Sequence, residues 1–273
     1  MQQRGQVCII TGGASGIGRA LALELGRRGA FLVVSDVNLD GAQAVATAIN
    51  AMCPDSASAV ALDVSDAEAV AALVKDTAER FGRLDLMFNN AGISITGDAR
   101  DLSIAQWRRV IDINLMGVIY GSDAAYKTMA AQGSGHIVNI ASLAGLVPFP
   151  TNAPYGATKH AVVGLSQALR AEGEDLGVRV SVVCPGFVDS NIFNATEVVN
   201  ASREKLIAGI PFKKVSVEEA AERILEGVAR NRALIVFPAY ARLLWWGYRL
   251  VPDLLAPLGR KLIRDLRKIR GGA

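Results

Sequence analysis

A serine, a tyrosine and a lysine in the stretch Val138–Gly164 have the types and spacing that acid–base chemistry needs. Tyr155 and Lys159 are four residues apart, so a helix would place both side chains on one face. A free tyrosine titrates near pH ~10, and we expect an ammonium group one turn away to lower that pKa. Ser142 ends an apolar, strand-like run, and its hydroxyl could hydrogen-bond a substrate oxygen while Tyr155 transfers the proton. Because this pair is also common in ordinary helices, the prediction depends on the rest of the chain.

The glycine-rich turn between Thr11 and Gly18 predicts a nucleotide site. It follows the apolar run Val7–Thr11 and precedes a stretch of helical periodicity, and a second apolar run, Phe31–Ser35, ends at Asp36. Glycines let the backbone turn tightly beside a ligand, and a helix N-terminus attracts phosphate. The glycine spacing differs from the commonest dinucleotide fingerprint, so the prediction rests on the strand, turn, helix and strand in sequence.

The residue at the end of the second strand predicts which dinucleotide binds. The Asp36 carboxylate can accept hydrogen bonds from both adenosine ribose hydroxyls and would repel a 2′-phosphate. Neither Ser15 nor Val37 supplies a cation to hold such a phosphate. The sequence therefore predicts NAD rather than NADP. The alternative is that Asp36 only caps a helix from a loop.

Apolar runs alternate with amphipathic helical stretches along the chain, which predicts an α/β fold with one doubly wound sheet of about seven parallel strands. Residues 1–238 are predicted to form this domain and residues 239–273 a helical extension that is not an independent domain. Residues 107–129 read as one long helix, and residues 187–214 as an irregular lid over a substrate site. His136 is predicted to be a turn residue and His160 a structural one.

Composition excludes several classes of protein. A hydrophobic fraction of 51% is ample for a core, and the sparse 20% of charged residues suits an oligomer. A net charge of +3 excludes a molecule that binds nucleic acid through its overall field. Cys8, Cys53 and Cys184 lack metal-ligand spacing, so we expect reduced thiols, no metal and a cytoplasmic location. No signal peptide and no apolar run of ~18 residues is recognised.

The ordered motifs resemble those of the short-chain dehydrogenase/reductase family. They span Val7 to about Phe237 and are TGGASGIG at 11–18, Asp36, Asp63-Val64, NNAG at 89–92, Asn114, Ser142, Tyr155-x-x-x-Lys159 and PGFVDS at 185–190. The resemblance implies a Rossmann-type domain and a catalytic set in which Tyr155 is the general acid and base. Lys159 would lower the pKa of Tyr155 and hold the nicotinamide ribose, Ser142 would orient the reacting carbonyl or alcohol, and Asn114 would anchor a water.

The resemblance also implies the residues that bind the cofactor. The implied set is Gly12, Ser15, Gly16, Ile17, Gly18, Asp36, Asp63, Val64, Asn90, Ala91, Gly92, Tyr155, Lys159, Pro185, Gly186, Val188 and Ser190. Ser190 stands where many members have threonine, which keeps the hydroxyl. The family further implies a homodimer or homotetramer assembled through the helices that carry Asn114 and Tyr155.

The C-terminal tail extends beyond the usual end of the family. From Ala239 onward it has eight basic and two acidic residues, a net charge of +6, which leaves −3 for the rest of the chain. One helical face collects Leu258, Leu262, Ile263, Leu266 and Ile269. That face predicts either peripheral contact with an anionic membrane surface or packing on a neighbouring subunit. Pro252 and Pro257 are expected to break any single helix.

Together these features predict an NAD-dependent enzyme that interconverts a secondary alcohol and a ketone. An apolar lining is expected from Leu143, Leu146, Val147, Pro148, Phe149 and Pro150 and, in the lid, Ile192 and Phe193. That lining favours a hydrophobic substrate of steroid-like, retinoid-like or long-chain type over a sugar. The alternatives are an NADPH-dependent carbonyl or 3-oxoacyl-thioester reductase, and a catalytically silent scaffold that senses nucleotide.

Overall fold

A computed structural model describes residues 4–204 and 212–268, in which strands and helices alternate. The strands are β1 (Val7–Thr11), β2 (Phe31–Asp36), β3 (Ala57–Ala61), β4 (Leu86–Asn89), β5 (Ile95–Thr96), β6 (Gly135–Ile140), β7 (Val178–Pro185), β8 (Glu197–Val198) and β9 (Leu234–Phe237). The helices are α1 (Gly16–Arg27), α2 (Leu39–Met52), α3 (Ala67–Phe81), α4 (Ile104–Ile111), α5 (Gly117–Gln132), α6 (Ala153–Gly173), α7 (Ile192–Ala195), α8 (Val217–Ala229), α9 (Ala239–Leu250) and α10 (Ala256–Lys268).

Seven parallel strands form the central sheet in the order β3-β2-β1-β4-β6-β7-β9, and β5 pairs with β8 separately. Every residue of β1 is buried, because helices cover both faces of the sheet. Helices α1, α2 and α8 pack on one face, and α3, α5 and α6 on the other. This doubly wound α/β architecture confirms the predicted fold class.

The strand order reverses between β1 and β4, which fixes where a ligand can bind. From β1 the chain runs outward to β2 and β3, then crosses back to β4 on the other side of β1. The segments that leave the carboxyl ends of β1 and β4 therefore diverge and form a crevice. The motifs that end in Gly18 and Gly92 both begin at that crevice.

The residues predicted as one long helix, 107–129, are helical throughout, but a π turn divides them into three consecutive segments. Helix α4 begins earlier than predicted, because Ser103 and Gln106 form a capping box at its N-terminus. A π-helical turn, Asp112–Met116, then joins α4 to α5. It contains Asn114, whose side chain exchanges two hydrogen bonds with the backbone of Ile93. Single π turns often occur at functional sites.

The prediction that His136 is a turn residue is wrong. His136 lies in β6, only 5% exposed, and its Nε2 is 2.8 Å from the Ser181 hydroxyl on β7. Burial lowers its pKa to about 3, with a smaller contribution from Arg179 and Arg170. His160, by contrast, is exposed and bonds through Nδ1 to the Gly156 carbonyl of its own helix, in keeping with a structural role.

The C-terminal tail folds back on its own chain. Helix α9 ends before Pro252, as predicted, whereas Pro257 lies in the first turn of α10, where proline is tolerated. Leu266 is 3% exposed, and Arg267 Nε donates to Asp98 Oδ2 over 2.8 Å. Leu266 of the predicted apolar face is thus packed against this protein itself, whereas Leu258 is 40% exposed and Ile269 lies outside the described residues. Over residues 4–204 and 212–268, no helix is long and apolar enough to cross a membrane.

Candidate active site

A cavity of about 1020 Å³ opens at the carboxyl ends of the strands, above the crevice between β1 and β4. All but two of the predicted site residues line it. They are Gly12, Ser15, Gly16, Ile17, Asp36, Asp63, Val64, Asn90, Ala91, Gly92, Ser142, Tyr155, Lys159, Pro185, Gly186, Val188 and Ser190. The cavity therefore joins the predicted dinucleotide site to the predicted catalytic residues.

The glycine turn after β1 is held in shape by the turn after β4. Gly12 and Gly16 have φ angles of +65° and +54°, which favour glycine. The Asn90 amide donates to the carbonyls of Thr11 and Gly12 over 2.9 and 3.0 Å. The Thr11 hydroxyl in turn accepts hydrogen bonds from the backbone N–H groups of Asn90 and Ala91. This bracing by Thr11 was not predicted, although a threonine that ends a strand before a glycine turn is a visible signal.

Gly18 is one of the two predicted residues that do not line the cavity. A β-carbon on Gly18 would lie 2.2 Å from the Gly12 carbonyl oxygen and 2.5 Å from the Asn90 amide nitrogen. Its place in the first turn of α1 lets that helix pack closely against the glycine turn. Gly18 thus lies behind the glycine turn rather than in the cavity wall, and its direct contact with cofactor stays a prediction.

Asn114 is the second predicted residue away from the cavity wall. It is fully buried, its Oδ1 accepts from Ile93 N over 2.8 Å, and its Nδ2 donates to Ile93 O over 2.9 Å. It lies directly behind Gly92, because a β-carbon there would be 3.2 Å from Asn114 Oδ1 and 3.6 Å from Lys159 Nζ. The Asn114 side chain thus bridges to the Ile93 backbone, and the water that it is expected to anchor stays a prediction.

Asp36 sits at the end of β2, where its carboxylate borders the cavity. Its Oδ2 accepts from Ala14 N over 3.0 Å and its Oδ1 accepts from Asn38 N over 2.9 Å. The helix cap of α2 is a different residue, Asn38, whose side chain accepts from Gly41 N. Asp36 therefore bridges the glycine turn and the β2 terminus, and the alternative of a simple helix-capping aspartate is wrong.

Ser142, Tyr155 and Lys159 meet at the carboxyl end of β6. Ser142 begins a short 3₁₀ turn and lies within hydrogen-bonding reach of the Tyr155 phenol. Helix α6 stacks the other two residues on one face, so the Lys159 ammonium is 5.5 Å from the centre of the Tyr155 ring. Lys159 is 3% exposed, and its Nζ donates to the Ile140 carbonyl over 2.8 Å. A lysine has three donors, which leaves N–H groups for a ligand in the cavity.

Burial controls the acidity of this cluster. The pKa of Tyr155 is raised because desolvation of the phenol outweighs its hydrogen bond with Ser142. Burial also lowers the pKa of Lys159 to about 8. In the protein alone the Lys159 ammonium bonds to the Ile140 carbonyl rather than to the phenol, and its lowering of the Tyr155 pKa stays a prediction. Cys184 beside them is a neutral thiol, since burial raises its pKa to about 12.

The far part of the cavity is apolar. Leu143, Val147, Pro148, Phe149, Pro150 and Ile192 line it as predicted. Leu146 does not, because it packs in the core cluster around α6 and α9, and the side chain of Phe193 lies outside the described residues. The tail makes a contribution that the sequence did not predict, since Leu244, Tyr248, Leu262 and Ile263 also line the cavity. The signal was the amphipathic pattern of the tail, whose apolar face needed a partner.

With this geometry in view, comparisons with known proteins identify the family. The chain matches the short chain dehydrogenase family over residues 6–199 and belongs to it. Cyclohexanol dehydrogenase of Acinetobacter sp. (strain SE19) is 42% identical over 184 residues, 67% of this chain and 73% of the relative. The putative oxidoreductase SadH of Mycobacterium tuberculosis (strain CDC 1551 / Oshkosh) is 37% identical over 240 residues, 85% of this chain and 86% of the relative.

A solved structure supports the same assignment across the whole chain. A short chain dehydrogenase/reductase from Burkholderia phymatum, crystallised in complex with NAD, superposes with a TM-score of 0.80 at 28% identity, covering 100% of this chain and 98% of that one. The predicted family is confirmed, and the protein is an oxidoreductase of that family. The cavity residues described above fit a dinucleotide, since a glycine turn at a helix N-terminus lies beside an acidic strand end.

Proposed function

We propose that the protein is an NAD-dependent dehydrogenase that interconverts a secondary alcohol and a ketone with an apolar body. The observation that carries this proposal is the convergence of Ser142, Tyr155 and Lys159 on the cavity that also contains the glycine turn and Asp36. When bound, the nicotinamide supplies the acceptor or donor of hydride. The chain itself must then bind the dinucleotide, orient the substrate oxygen and move one proton.

Tyr155 is proposed to move that proton. Its raised pKa keeps the phenol protonated at neutral pH, so it can donate to the oxygen of a ketone as hydride reaches the carbon. In alcohol oxidation the same residue must first lose its proton, which alkaline pH favours. Ser142 is proposed to hydrogen-bond the reacting oxygen through its hydroxyl, and Lys159 to bind ribose hydroxyls with the donors that Ile140 leaves available.

Asp36 supports NAD over NADP. The cavity at the ends of β2 and β3 has Asp36 and Asp63 in its wall, both negatively charged, and a 2′-phosphate would meet like charge there. The B. phymatum relative crystallised with NAD agrees with this choice. The alternative of an NADPH-dependent carbonyl or thioester reductase is disfavoured by the same two carboxylates, and the silent scaffold by the complete catalytic cluster.

The apolar wall supports the substrate class. Apart from the catalytic residues, the far part of the cavity is lined mostly by aliphatic and aromatic side chains, which bind apolar ligands better than sugars. The Acinetobacter relative is named for an alicyclic secondary alcohol, cyclohexanol. An alcohol or ketone with an apolar ring or chain is therefore the proposed substrate.

The direct test is an assay of purified protein with NAD and with NADP against a panel of alcohols. We expect reduction of NAD with cyclohexanol and with larger apolar secondary alcohols, and little turnover of sugar alcohols. Equal or better turnover with NADP, or a preference for polar alcohols, would contradict the proposed cofactor or substrate class respectively. No turnover despite saturable NADH binding would favour the scaffold.

Two further parts of the proposal concern partners. We expect a homodimer or homotetramer assembled through α4, α5 and α6.

Peripheral membrane contact, first expected from α10, is now better supported at α9. There Leu243, Trp246 and Leu250, at helical spacing, are 73, 53 and 75% exposed, and Arg242 and Arg249 beside them are also exposed. Two copies joined at this stripe would bring their arginines together, which favours an anionic lipid surface as its partner.

A further inference from the structure

The C-terminal tail forms part of the wall of the cavity. The inner face of α9 packs into the core cluster of α6 and β7 through Ala241, Leu244 and Trp245. Leu244 also faces the cavity, while its neighbour Leu243 is 73% exposed and outside the lining. From α10, Leu262 and Ile263 complete this wall. Helices α9 and α10, which lie beyond the residues 6–199 that match the family, thus form one wall of the cavity.

Three contacts hold α10 over the cavity. Arg267 donates to Asp98, a carboxylate whose pKa is lowered by that hydrogen bond and which is itself only 5% exposed. Leu266, the residue before Arg267, is buried. Gly259 approaches Pro150 so closely that a β-carbon would lie 3.1 Å from the Pro150 ring. These contacts are spread over nearly the whole length of α10, so the wall has a defined position.

A row of aromatic rings joins the tail to the predicted lid. Phe212 stacks on Tyr240 with ring centres 4.5 Å apart, and Phe187 stacks on Phe212 at 5.9 Å. The Tyr240 hydroxyl also accepts a hydrogen bond from Phe187 N over 2.7 Å. Phe149 continues the row at 6.1 Å from Phe187. The tail, Phe187 and Phe212 of the lid and the loop after Ser142 are therefore in contact with one another.

We propose that the tail wall, defined as Leu244, Leu262 and Ile263, sets the substrate specificity of the enzyme. It does so by binding the apolar body of an alcohol or ketone whose reacting carbon lies at Tyr155. The wall offers aliphatic surface, and the charged residues of the tail that border the cavity, Asp253 and Arg260, are exposed at its rim. Each methylene that reaches the wall should raise kcat/KM by about fourfold, until the wall blocks further growth.

This inference rests on the proposed function and is tested with 2-alkanols from 2-butanol to 2-decanol. In the wild type, kcat/KM should climb with chain length. Leu262→Trp fills the cavity and should lower kcat/KM for 2-decanol by at least about tenfold, mainly through KM, while 2-butanol changes by less than about twofold. Leu250→Trp is the matched control, because Leu250 is 75% exposed, lies in the same tail and is outside the lining.

A second pair of variants uses neighbouring leucines of α9. Leu244→Ala enlarges the cavity and should weaken the dependence on chain length, whereas Leu243→Ala should leave it unchanged. NADH affinity and thermal unfolding establish that each variant folds. If all four variants follow the wild-type dependence on chain length, the tail wall is overturned while the proposed function stands. If the wild type oxidises none of these alcohols, the proposed function fails, and the assignment of specificity fails with it.

Discussion

At the scale of single residues, burial moves the two titratable groups of the catalytic cluster toward their neutral forms. The pKa of Tyr155 is raised and that of Lys159 is lowered to about 8. Near pH 7 the protein alone therefore holds a neutral phenol beside an ammonium ion. A neutral phenol suits proton donation to a ketone, so the proposed proton transfer by Tyr155 predicts reduction at neutral pH and oxidation at higher pH.

Asp36 gives a prediction at this scale. Replacing it by alanine removes the carboxylate that would repel a 2′-phosphate, as well as its hydrogen bonds to Ala14 N and Asn38 N. Asp36→Ala should narrow the preference for NAD over NADP by about tenfold or more, measured as the ratio of kcat/KM values. Asp40→Ala, on the first turn of α2, is the control and should keep the ratio. An unchanged ratio in Asp36→Ala would show that the carboxylate does not select the cofactor.

His136 predicts how stability depends on pH. Its pKa is about 3 in the folded state and near ~6.5 in an unfolded chain, so folding excludes a proton that the unfolded chain binds. Its contribution is therefore complete above pH ~6.5 and is lost as pH falls toward 3. The loss between pH 7 and pH 5 should be about 2 kcal/mol. Comparing urea unfolding of the wild type and His136→Gln at both pH values isolates this term, because the carboxylates are common to both. If the unfolding free energies of the two proteins changed equally between pH 7 and pH 5, the lowered pKa of His136 would be contradicted.

The sequence predicted which residues lie at the cavity better than it predicted the hydrogen bonds that those residues make. The motifs placed Asp36 and Ser142 at the cavity because they lie at or just after the ends of strands, and Tyr155 because it lies in the first turn of the helix after Ser142. The motifs did not predict the hydrogen bond from Lys159 to the Ile140 carbonyl or the one from the Asn114 amide to the Ile93 carbonyl. Those contacts depend on residues distant in the chain, and no local pattern encodes them.

At the scale of secondary structure, the sequence predicted the elements with regular apolar periodicity, but it did not predict the irregular ones. The alternation of apolar runs and amphipathic stretches correctly predicted a parallel sheet of seven strands between helices. The π turn at Asp112–Met116 was missed, because one extra residue in a helical turn leaves the apolar pattern almost unchanged. The packing of α10 on its own chain was missed as well, because an amphipathic face specifies a partner of apolar character without saying which one.

The contact between α1 and the glycine turn gives a prediction for an element. Gly18→Ala would place a methyl group 2.2 Å from the Gly12 carbonyl, so the turn or the helix must move. We expect a loss of about 1–3 kcal/mol of stability and weaker NADH binding, measured by thermal unfolding and fluorescence titration. Gly164→Ala is the matched control, since Gly164 is an exposed residue of α6 with no neighbour within 4 Å of the added carbon. It should be neutral or stabilising, and gel filtration checks that its oligomeric state is unchanged, since α6 is also a proposed subunit contact. Equal effects at both sites would contradict close packing at Gly18.

At the scale of the whole molecule, the excess of basic charge and an exposed apolar stripe lie together in the C-terminal tail. The tail carries a net charge of +6 and the rest of the chain −3, and the outward stripe of α9 adds Leu243, Trp246 and Leu250 to that basic region. The inner face of the same helix borders the cavity. A membrane that bound the outer stripe would therefore lie close to the site where an apolar substrate is proposed to react.

Vesicle binding tests this arrangement. The wild type should sediment with vesicles containing phosphatidylglycerol and much less with pure phosphatidylcholine, with binding reduced by high salt. Replacing Trp246 and Leu250 by glutamine should reduce sedimentation by about tenfold without changing NADH affinity. Gel filtration of the same variant separates the two possible partners of the stripe. A loss of oligomer with unchanged sedimentation would assign the stripe to a second copy of the chain instead.

The most direct measurement of the central claim is the turnover of Tyr155→Phe. The substitution removes only the phenolic hydroxyl, so the cavity and the Lys159 contact with Ile140 should persist. We predict that kcat for oxidation of cyclohexanol falls by about 10²–10⁴-fold while the Kd of NADH changes by less than about twofold. Turnover close to that of the wild type would contradict the role of Tyr155 as the residue that moves the proton.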